Sequence, residues 1–228
     1  MIEDRIDSRG ALASLADGLS SAGLSLRARW VGMRSRTFDL SAGVIKWLEH
    51  RLSAKIWLFK WYGRLFYQRV VERELGLTRL EPGARVLHIG AGALPYTAYY
   101  LARRGYRIDA VDHDGQMLGR ARQLLEATGL SSRVQLLEQD GLEVEASPYC
   151  AIWISLHLRC KEAVLERLAR IAVPGTWIVF REPRSWLKLF YSSVERPFDL
   201  PGWRSAACAH RLGKQSIAIR VSAGMDGT

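Results

Sequence analysis

The sequence has few of the residues that mark metalloproteins, disulfide-stabilised domains or membrane proteins. It contains three cysteines, Cys150, Cys160 and Cys208, whose spacing matches no metal-ligand motif. The histidines are isolated from the cysteines and from one another, so we expect no metal site. An odd cysteine count without pairing favours a reduced, cytoplasmic compartment. No stretch reaches the about 18 consecutive apolar residues of a membrane span, and the charged start MIEDRIDSRG lacks a signal peptide's apolar core.

Acidic residues are outnumbered by basic ones. The chain has 33 Lys and Arg against 23 Asp and Glu, a net charge of +10. Nucleic acid, an anionic membrane surface or solvated surface arginines would each account for this excess. The arginines are scattered over the whole length, which favours surface arginines. We therefore expect a small-molecule substrate and no nucleic acid, with a membrane surface as the less favoured partner and a homodimer left open.

The hydrophobic pattern divides the chain near the turn EPGA, residues 81–84. Residues 1–80 are predicted to form a helical N-terminal cap, and residues 81–228 a ligand-binding domain. Apolar residues at helical spacing predict an amphipathic helix in the cap; they are Ile45, Leu48, Leu52, Ile56 and Phe59. Such a helix would lie against the main domain, act as a lid over an active site, or bind a membrane surface.

Beyond the turn, short apolar runs alternate with helical patterns. Strands are predicted at 85–89, 107–111, 134–137, 151–155 and 177–180, and helices from 95, at 115–128 and at 161–171. This alternation is typical of an α/β, Rossmann-like doubly wound sheet that is mostly parallel. Two apolar runs around Gly213 and Lys214 predict an antiparallel C-terminal hairpin at one sheet edge.

The segment IGAGALPYT joins the first strand to a helix through a glycine turn. Gly90 and Gly92 permit a tight turn and close approach of a ligand to the backbone. Asp112 ends the second strand, 22 residues after Gly90, where an acid accepts hydrogen bonds from ribose hydroxyls. Asp140 and Gly141 follow the third strand, where an acid accepts from an adenine amino group. The three strand ends together predict an adenosine ligand.

Pro95 decides which adenosine ligand is favoured. It stands where a dinucleotide fingerprint has its third glycine and where pyrophosphate binds the amides of a helix N-terminus. Proline removes one of those donors, yet it is accepted as the first residue of a helix. A ligand without phosphates suits this loop, which favours S-adenosyl-L-methionine over NAD. The residues expected at this ligand are His88, Gly90, Ala91, Gly92, Leu94, Pro95, Asp112, His113, Asp140, Gly141, Ser155 and Arg181.

The order of these motifs, over roughly residues 81–183, resembles that of the class I S-adenosylmethionine-dependent methyltransferases. Two features depart from their usual form: His88 replaces an acidic residue, and Ala93-Leu94-Pro95 replaces a third glycine. The variant loop is similar to the glycine-x-glycine-proline-leucine-proline loop of nicotianamine synthases. VFREPRSWLKLFY and FDLPGW are also similar to segments of that family, and Tyr62 and Glu72 keep the ten-residue interval of its tyrosine and glutamate.

This resemblance implies a reaction at one carbon of the sulfonium. Nicotianamine synthases direct an amine at the Cγ of the aminobutyrate arm and release methylthioadenosine. The amine can belong to an acceptor or to S-adenosylmethionine itself, as in azetidine synthases, which close azetidine-2-carboxylate. Methyl transfer to a small molecule, which releases S-adenosylhomocysteine, is the alternative reaction. A protein that kept the fold but became an inactive membrane-surface module is the alternative of another class.

The candidate catalytic residues come from three parts of the sequence. Tyr96 follows the loop and would hydrogen-bond the methionine arm or stack on the sulfonium, or else only cover the pocket. Ser155 and His157 follow the fourth strand, and His157 is either a general base or a structural histidine. The resemblance implies that Tyr62 and Glu72 orient an amine, although a helical glutamate is usually solvated. Arg181 would bind a carboxylate bidentately or pair with Glu182 or a neighbouring strand end.

Overall fold

The computed structural model describes residues 56–189, 193–194, 204–210 and 214–222, all within one compact unit. Two helices come first, α1 (Ile56–Phe66) and α2 (Gln68–Thr78). The alternating part follows as β1 (Arg85–Ile89), α3 (Tyr96–Arg103), β2 (Arg107–Asp112), α4 (Gly115–Ala127), β3 (Val134–Glu138), β4 (Ala151–Ile154), α5 (Lys161–Ile171) and β5 (Trp177–Pro183). A 3-10 helix (Ser185–Leu189) and the strands β6 (Arg204–His210) and β7 (Lys214–Arg220) complete it.

The seven strands form one sheet in the order β3-β2-β1-β4-β5-β7-β6. The first five are parallel, and β7 pairs antiparallel with both β5 and β6. The strand order reverses at β1, whose neighbours are β2 and β4, and ligands of such sheets bind at this point. The predicted Rossmann-like sheet with an antiparallel C-terminal hairpin is therefore confirmed. Lys214, predicted in the turn, is the first residue of β7 because it pairs with Pro183.

Alternate side chains of the strands enter two apolar cores on opposite faces of the sheet. Val86, Trp153 and Val179 face the core that the first helices cover, whereas Leu87, Ile154 and Phe180 face the core under α5. Strands covered on both faces have nearly continuous apolar sequences, which explains why their positions are readable from composition.

The helices before the sheet pack against α3 through aromatic rings. Phe59 is fully buried and stacks on Tyr96 with ring centroids 4.5 Å apart. Gly63 lies so close that an added Cβ would approach a ring carbon of Tyr96 to 2.7 Å. Ile56, predicted on the buried face, is 39% exposed, because the buried face passes through Phe59 and Gly63 instead. In the described ranges, no helix has both the length and the apolar character to cross a bilayer.

Some of the sequence predictions fall outside the described residues. These are the helix positions Ile45, Leu48 and Leu52, most of the cap at 1–55, and the segment FDLPGW. A division of the chain at residue 80 stays a prediction.

Candidate active site

The glycine loop after β1 is held by the strand beside it. Gly90 and Gly92 have φ values of 80° and 62°, in the left-handed region that favours glycine. The Gly92 amide donates to Oδ2 of Asp112 over 2.8 Å, and the Asp114 amide donates to its Oδ1 over 3.1 Å. A carboxylate has about four acceptor positions. Asp112 therefore fixes the loop and keeps acceptor positions for the hydroxyls of a ribose.

Ser155, the residue after β4, holds the loop from the side opposite β2. The Ser155 hydroxyl donates to the carbonyl of Gly90 over 2.6 Å, and Nε2 of His88 lies 3.0 Å from the same hydroxyl oxygen. Because the single hydroxyl hydrogen points to Gly90, Nε2 of His88 is the donor to Ser155. A Cβ on Gly90 would lie 3.2 Å from Cβ of Ser155, so the loop and β4 are in close contact. Ser155 thus positions the loop.

His88, at the place where an acid was expected by resemblance, is 2% exposed. Burial, and then the positive charge of Arg181, lower the pKa of His88 to about 3. The ring is therefore neutral at pH 7, with Nε2 protonated. Its Nδ1 is an acceptor without a hydrogen-bond partner in the described part of the chain.

Pro95 differs by one position from its predicted role. The amide of Tyr96 donates to the carbonyl of Leu94 over 2.7 Å, and Pro95 has φ −78° and ψ 56°. This is an inverse γ-turn, so α3 begins at Tyr96 and Pro95 precedes it as the N-cap. The loop is also held by its apolar side chains, because Ala91 and Pro95 are buried and Leu94 is partly buried.

The loop after β3 closes against the end of β1. Asp140 is exposed, and its Oδ1 accepts a hydrogen bond from the Leu142 amide over 2.8 Å. A Cβ on Gly141 would lie 2.6 Å from Cγ2 of Ile89, so only glycine fits without displacement. His113 is exposed, and its Nδ1 lies 3.4 Å from Oδ1 of Asp112. The predicted residues that follow β1, β2 and β3 thus lie together where these parallel strands end. We call this end of the sheet the ligand edge, and we call this group of residues its loop half.

The other half of this edge contains a buried ion pair that the sequence analysis missed. Arg181 on β5 donates to Glu74 on α2 through two hydrogen bonds of 2.7 Å, and to the Thr97 hydroxyl over 3.0 Å. Glu74 is 0% exposed and Arg181 is 6% exposed. Arg181 was predicted to bind a ligand, but its guanidinium instead binds the carboxylate of Glu74 bidentately, within the chain itself. The pairing with Glu182 considered from the sequence is not formed by the Arg181 side chain, because Lys161 contacts that acid.

Glu74 accepts hydrogen bonds from two further side chains. The Trp153 indole donates to it over 3.0 Å, and the Ser216 hydroxyl donates to its Oε1. His210 lies 2.7 Å from that hydroxyl. Burial alone would raise the pKa of Glu74, but the charge of Arg181 and the hydrogen bonds from Arg181, Ser216 and Trp153 outweigh it and lower the pKa. Glu74 is therefore an anion fixed inside the protein.

A sequence signal for Glu74 exists. The buried residues of α2 are Val71, Glu74 and Thr78, at helical spacing on one face. An acid within an apolar helical stripe indicates a buried cationic partner, because an unpaired buried carboxylate is strongly disfavoured.

Two more charged or titratable side chains lie near Arg181: His157 follows β4, and Lys214 is the first residue of β7. Nζ of Lys214 and Cζ of Arg181 each lie 5.9 Å from the ring centroid of Tyr67. The pKa of His157 is lowered to about 4 by loss of hydration among surrounding protein atoms, and then by the charges of Lys214, Arg181 and Lys161. His157 is nevertheless an exposed residue. A side chain on a concave surface is surrounded by protein atoms and is still accessible to solvent. Glu74, Arg181, Lys214 and His157 define the charged half of the edge.

The remaining predicted catalytic residues lie in two different places. Tyr96 is 3% exposed and stacks between Phe59 and Tyr67, with Tyr62 5.8 Å away. Burial raises the pKa of Tyr62. Both tyrosines are thus packed beside the charged half.

Glu72 pairs with Arg104, and Gln68 donates to it over 3.1 Å. Arg104 follows the last residue of α3, which starts at the ligand edge and runs away from it. The structure therefore does not bring Glu72 to the site. Within the described residues, no group of three or more His, Cys, Asp or Glu side chains is placed to hold a metal ion.

Comparison with known proteins identifies relatives in sequence and in structure. The chain is 32% identical over 146 residues to an L-histidine 2-aminobutanoyltransferase of Pseudomonas aeruginosa, covering 63% of this chain and 54% of that protein. It is 29% identical over 155 residues to the enzyme of the same name from Yersinia pestis, covering 67% and 58%. The chain thus spans about half the length of the curated relatives it matches. No protein-family model matches it.

Among solved structures, the nicotianamine synthase MtNAS superposes with a TM-score of 0.73 in a complex with MTA and tNA. The superposition covers 83% of this chain and 76% of that one, at 20% identity. A mutant of MtNAS in complex with S-adenosylmethionine gives a TM-score of 0.72, over 83% and 78%, at 19% identity. The resemblance is thus confirmed: the chain has a class I S-adenosylmethionine-dependent methyltransferase fold in the form seen in MtNAS, and it is related in sequence to L-histidine 2-aminobutanoyltransferases.

Proposed function

We propose that this chain transfers the 3-amino-3-carboxypropyl group of S-adenosylmethionine to the amine of a small acceptor and releases methylthioadenosine. The observation that carries the proposal is the sequence relationship to enzymes named L-histidine 2-aminobutanoyltransferase. The likeness of fold to MtNAS, which has been solved with S-adenosylmethionine and with MTA and tNA, supports it.

The geometry of the loop half supports S-adenosylmethionine as the donor. The backbone at Gly90 and Gly92 has no side chain where a ligand would approach, and Asp112 keeps acceptor positions beside it. Asp140, His113 and Gly141 lie where an adenine would be placed by analogy with other sheets of this type. Pro95 has no amide hydrogen, and the Tyr96 amide donates to the Leu94 carbonyl, so neither residue offers a donor to a pyrophosphate at the start of α3. A phosphate-free adenosine therefore fits these residues.

When bound, S-adenosylmethionine supplies a sulfonium that activates its adjacent carbons. In the proposed reaction a neutral amine nitrogen forms a bond to Cγ, the Cγ–S bond breaks, and its electron pair stays on sulfur. The nitrogen loses one proton. The chain's contribution is to hold the reacting atoms in line about 3 Å apart. Ser155 and His88 hold the loop, and Tyr96, Tyr62 and His157 remain the candidates for positioning the amine or accepting its proton.

Incubation of the purified protein with S-adenosylmethionine and L-histidine, followed by analysis of the products, tests this proposal. We expect methylthioadenosine only when an acceptor amine is present. Methylthioadenosine without an acceptor would indicate self-cyclisation to azetidine-2-carboxylate. S-adenosylhomocysteine would indicate methyl transfer and would contradict attack at Cγ.

Substitution of the ribose acceptor provides a matched test of the donor site. Asp112→Asn leaves one acceptor oxygen where the carboxylate has two, so the loop and the ribose hydroxyls compete for it. We expect the affinity for S-adenosylmethionine, measured by calorimetry, to fall by about 10-fold to 100-fold. Glu126→Gln, which removes the same charge at an exposed position near the end of α4, is the control and should have little effect. Equal affinities for all three proteins would contradict the proposed position of the ribose.

The other predictions about the setting of the protein also remain proposals. We propose a small-molecule acceptor and a cytoplasmic location, without nucleic acid and with a membrane surface disfavoured. A homodimer is left open. If the protein released no product and bound anionic vesicles in a salt-dependent manner, the membrane-surface alternative would replace the enzymatic one.

A further inference from the structure

The charged half of the edge contains a cation to which the sequence analysis gave no role. Lys214 is the first residue of β7 and lies opposite Pro183, the last residue of β5. Because β5 is parallel to β1, Lys214 lies at the same edge of the sheet as the glycine loop. Alternation along β7 places its side chain on the face of Ser216, towards α2.

The carboxylates buried near Lys214 are already paired with other cations. Glu74 binds Arg181, and Glu182 lies 3.3 Å from Nζ of Lys161. Among the residues that the structure describes, Lys214 forms no ion pair, and its described contact is with the face of the Tyr67 ring. A charge that is partly removed from water without a counter-ion is unfavourable. The structure therefore has a cation at this edge that a bound anion would stabilise.

The electrostatic surroundings of Lys214 agree with this view. Burial, and then the charge of Arg181, lower the pKa of Lys214 to about 8, so the ammonium form predominates at pH 7. The side chain is half-buried rather than enclosed. His157, an exposed residue that follows β4, has its pKa lowered by burial and then by the charge of Lys214. The ammonium group of Lys214 and the imidazole of His157 can thus both donate hydrogen bonds to a ligand with a negative charge.

The position of Lys214 in the sheet indicates which carboxylate it would bind. The loop half lies on β1, β2 and β3, whereas β7 is three strands beyond β1. At about 4.8 Å per strand, β7 lies roughly 14 Å from β1. Lys214 is therefore on the side of an acceptor rather than of the adenosine.

We propose that Lys214, together with His157, binds the α-carboxylate of an amino-acid acceptor. This inference rests on the proposed function and specifies its acceptor class as α-amino acids rather than simple amines. The carboxylate held at Lys214 directs the α-amine of the acceptor back towards β4 and the loop. Lys214 is thus a determinant of acceptor specificity, and it takes no part in the departure of methylthioadenosine.

Substitution of Lys214, combined with removal of the substrate carboxylate, tests the inference. We would measure methylthioadenosine release with L-histidine and with histamine, which lacks the carboxylate, and extend the assay to other amino acids and their decarboxylated amines. Lys214→Met should lower kcat/KM for the amino acid by about 10-fold to 100-fold, mainly through KM. The same substitution should change kcat/KM for the decarboxylated amine by less than about 3-fold, and Lys214→Arg should restore part of the activity.

Two controls separate this inference from the proposed function. Lys60→Met, at an exposed position of α1, should leave all kinetic constants unchanged. Calorimetric binding of S-adenosylmethionine should be the same in wild type and Lys214→Met.

Several outcomes would overturn the inference. If the wild type is active but Lys214→Met keeps its KM for the amino acid, the inference fails and the proposed function stands. Preference of the wild type for carboxylate-free amines, or a raised KM for S-adenosylmethionine in Lys214→Met, would also refute it. If the wild type neither binds S-adenosylmethionine nor releases methylthioadenosine, the proposed function itself fails.

Discussion

The two halves of the ligand edge are built from different kinds of contact. In the loop half, side chains such as Asp112 and Ser155 bond to backbone amides and carbonyls. In the charged half, side chains bond to one another, as Arg181, Ser216 and Trp153 do with Glu74. Backbone contacts fix a shape and suit a ligand part that never changes, such as an adenosine. Side-chain contacts fix a charge pattern, which a few substitutions alter.

The largest expected effect tests the charged half. Arg181→Met leaves Glu74 buried without its cation, because the remaining donors are neutral. Breaking a buried pair in this way costs about 3–5 kcal/mol in the free energy of unfolding. Urea denaturation measures the change. The double variant Glu74→Gln/Arg181→Met should regain much of it, and an Arg181→Met protein as stable as the wild type would contradict a paired, anionic Glu74.

A smaller effect is expected where the loop half depends on shape. Gly141→Ala forces a Cβ against Ile89, a 1% exposed residue, at 2.6 Å. Overpacking of this kind costs about 1–3 kcal/mol. Gly119→Ala in α4 is the matched control, because its Cβ meets nothing within 4 Å. Replacement of glycine by alanine in a helix interior raises the free energy of unfolding by about 0.5–1 kcal/mol. The midpoint of thermal unfolding should therefore fall for Gly141→Ala and rise for Gly119→Ala.

The buried histidine between the halves predicts a dependence of stability on pH. The folded pKa of His88 is about 3, well below the ordinary value of 6.5, so the unfolded chain binds more protons in this interval. The contribution of neutral His88 to the free energy of unfolding is therefore complete above pH 6.5 and is lost as the pH falls towards 3. Its limiting slope is about 1.4 kcal/mol per pH unit. We would measure the free energy of unfolding by urea denaturation at several values between pH 4 and pH 7. This free energy should depend less steeply on pH in His88→Gln than in the wild type, and an identical pH dependence would refute a neutral His88.

The smallest effect is expected away from the edge. Glu72→Gln removes an exposed ion pair with Arg104, and such pairs contribute about 1 kcal/mol or less. Methylthioadenosine release should be unchanged, because the structure does not bring Glu72 to the site. A large loss of activity without a loss of stability would restore the catalytic role that the resemblance implied.

The loop half was predictable because each of its motifs is local. A glycine pair after one strand, an acid after the next and an Asp-Gly after the third can each be found without knowing the packing. The structure shifts the predicted start of the helix by one residue, from Pro95 to Tyr96, because Leu94, Pro95 and Tyr96 form a γ-turn.

The charged half required knowledge of how distant segments pack. Glu74 meets Arg181 and Ser216 across 107 and 142 residues of sequence. The interval from Tyr62 selected Glu72, two positions earlier on the same helix. Two positions correspond to about 200° of rotation, so the chosen acid faces away from the core that Glu74 enters. Arg181 was identified as a carboxylate binder, but its partner was not.

The hairpin of β6 and β7 joins the sheet through β5 alone and brings Lys214 and Ser216 to the edge on one strand. If Lys214 binds the acceptor as proposed, recombination that replaced this hairpin would change the recognition of the acceptor and leave the residues proposed to bind S-adenosylmethionine in place. On that proposal, acceptor selectivity could evolve by exchange of one hairpin, without change to the donor site.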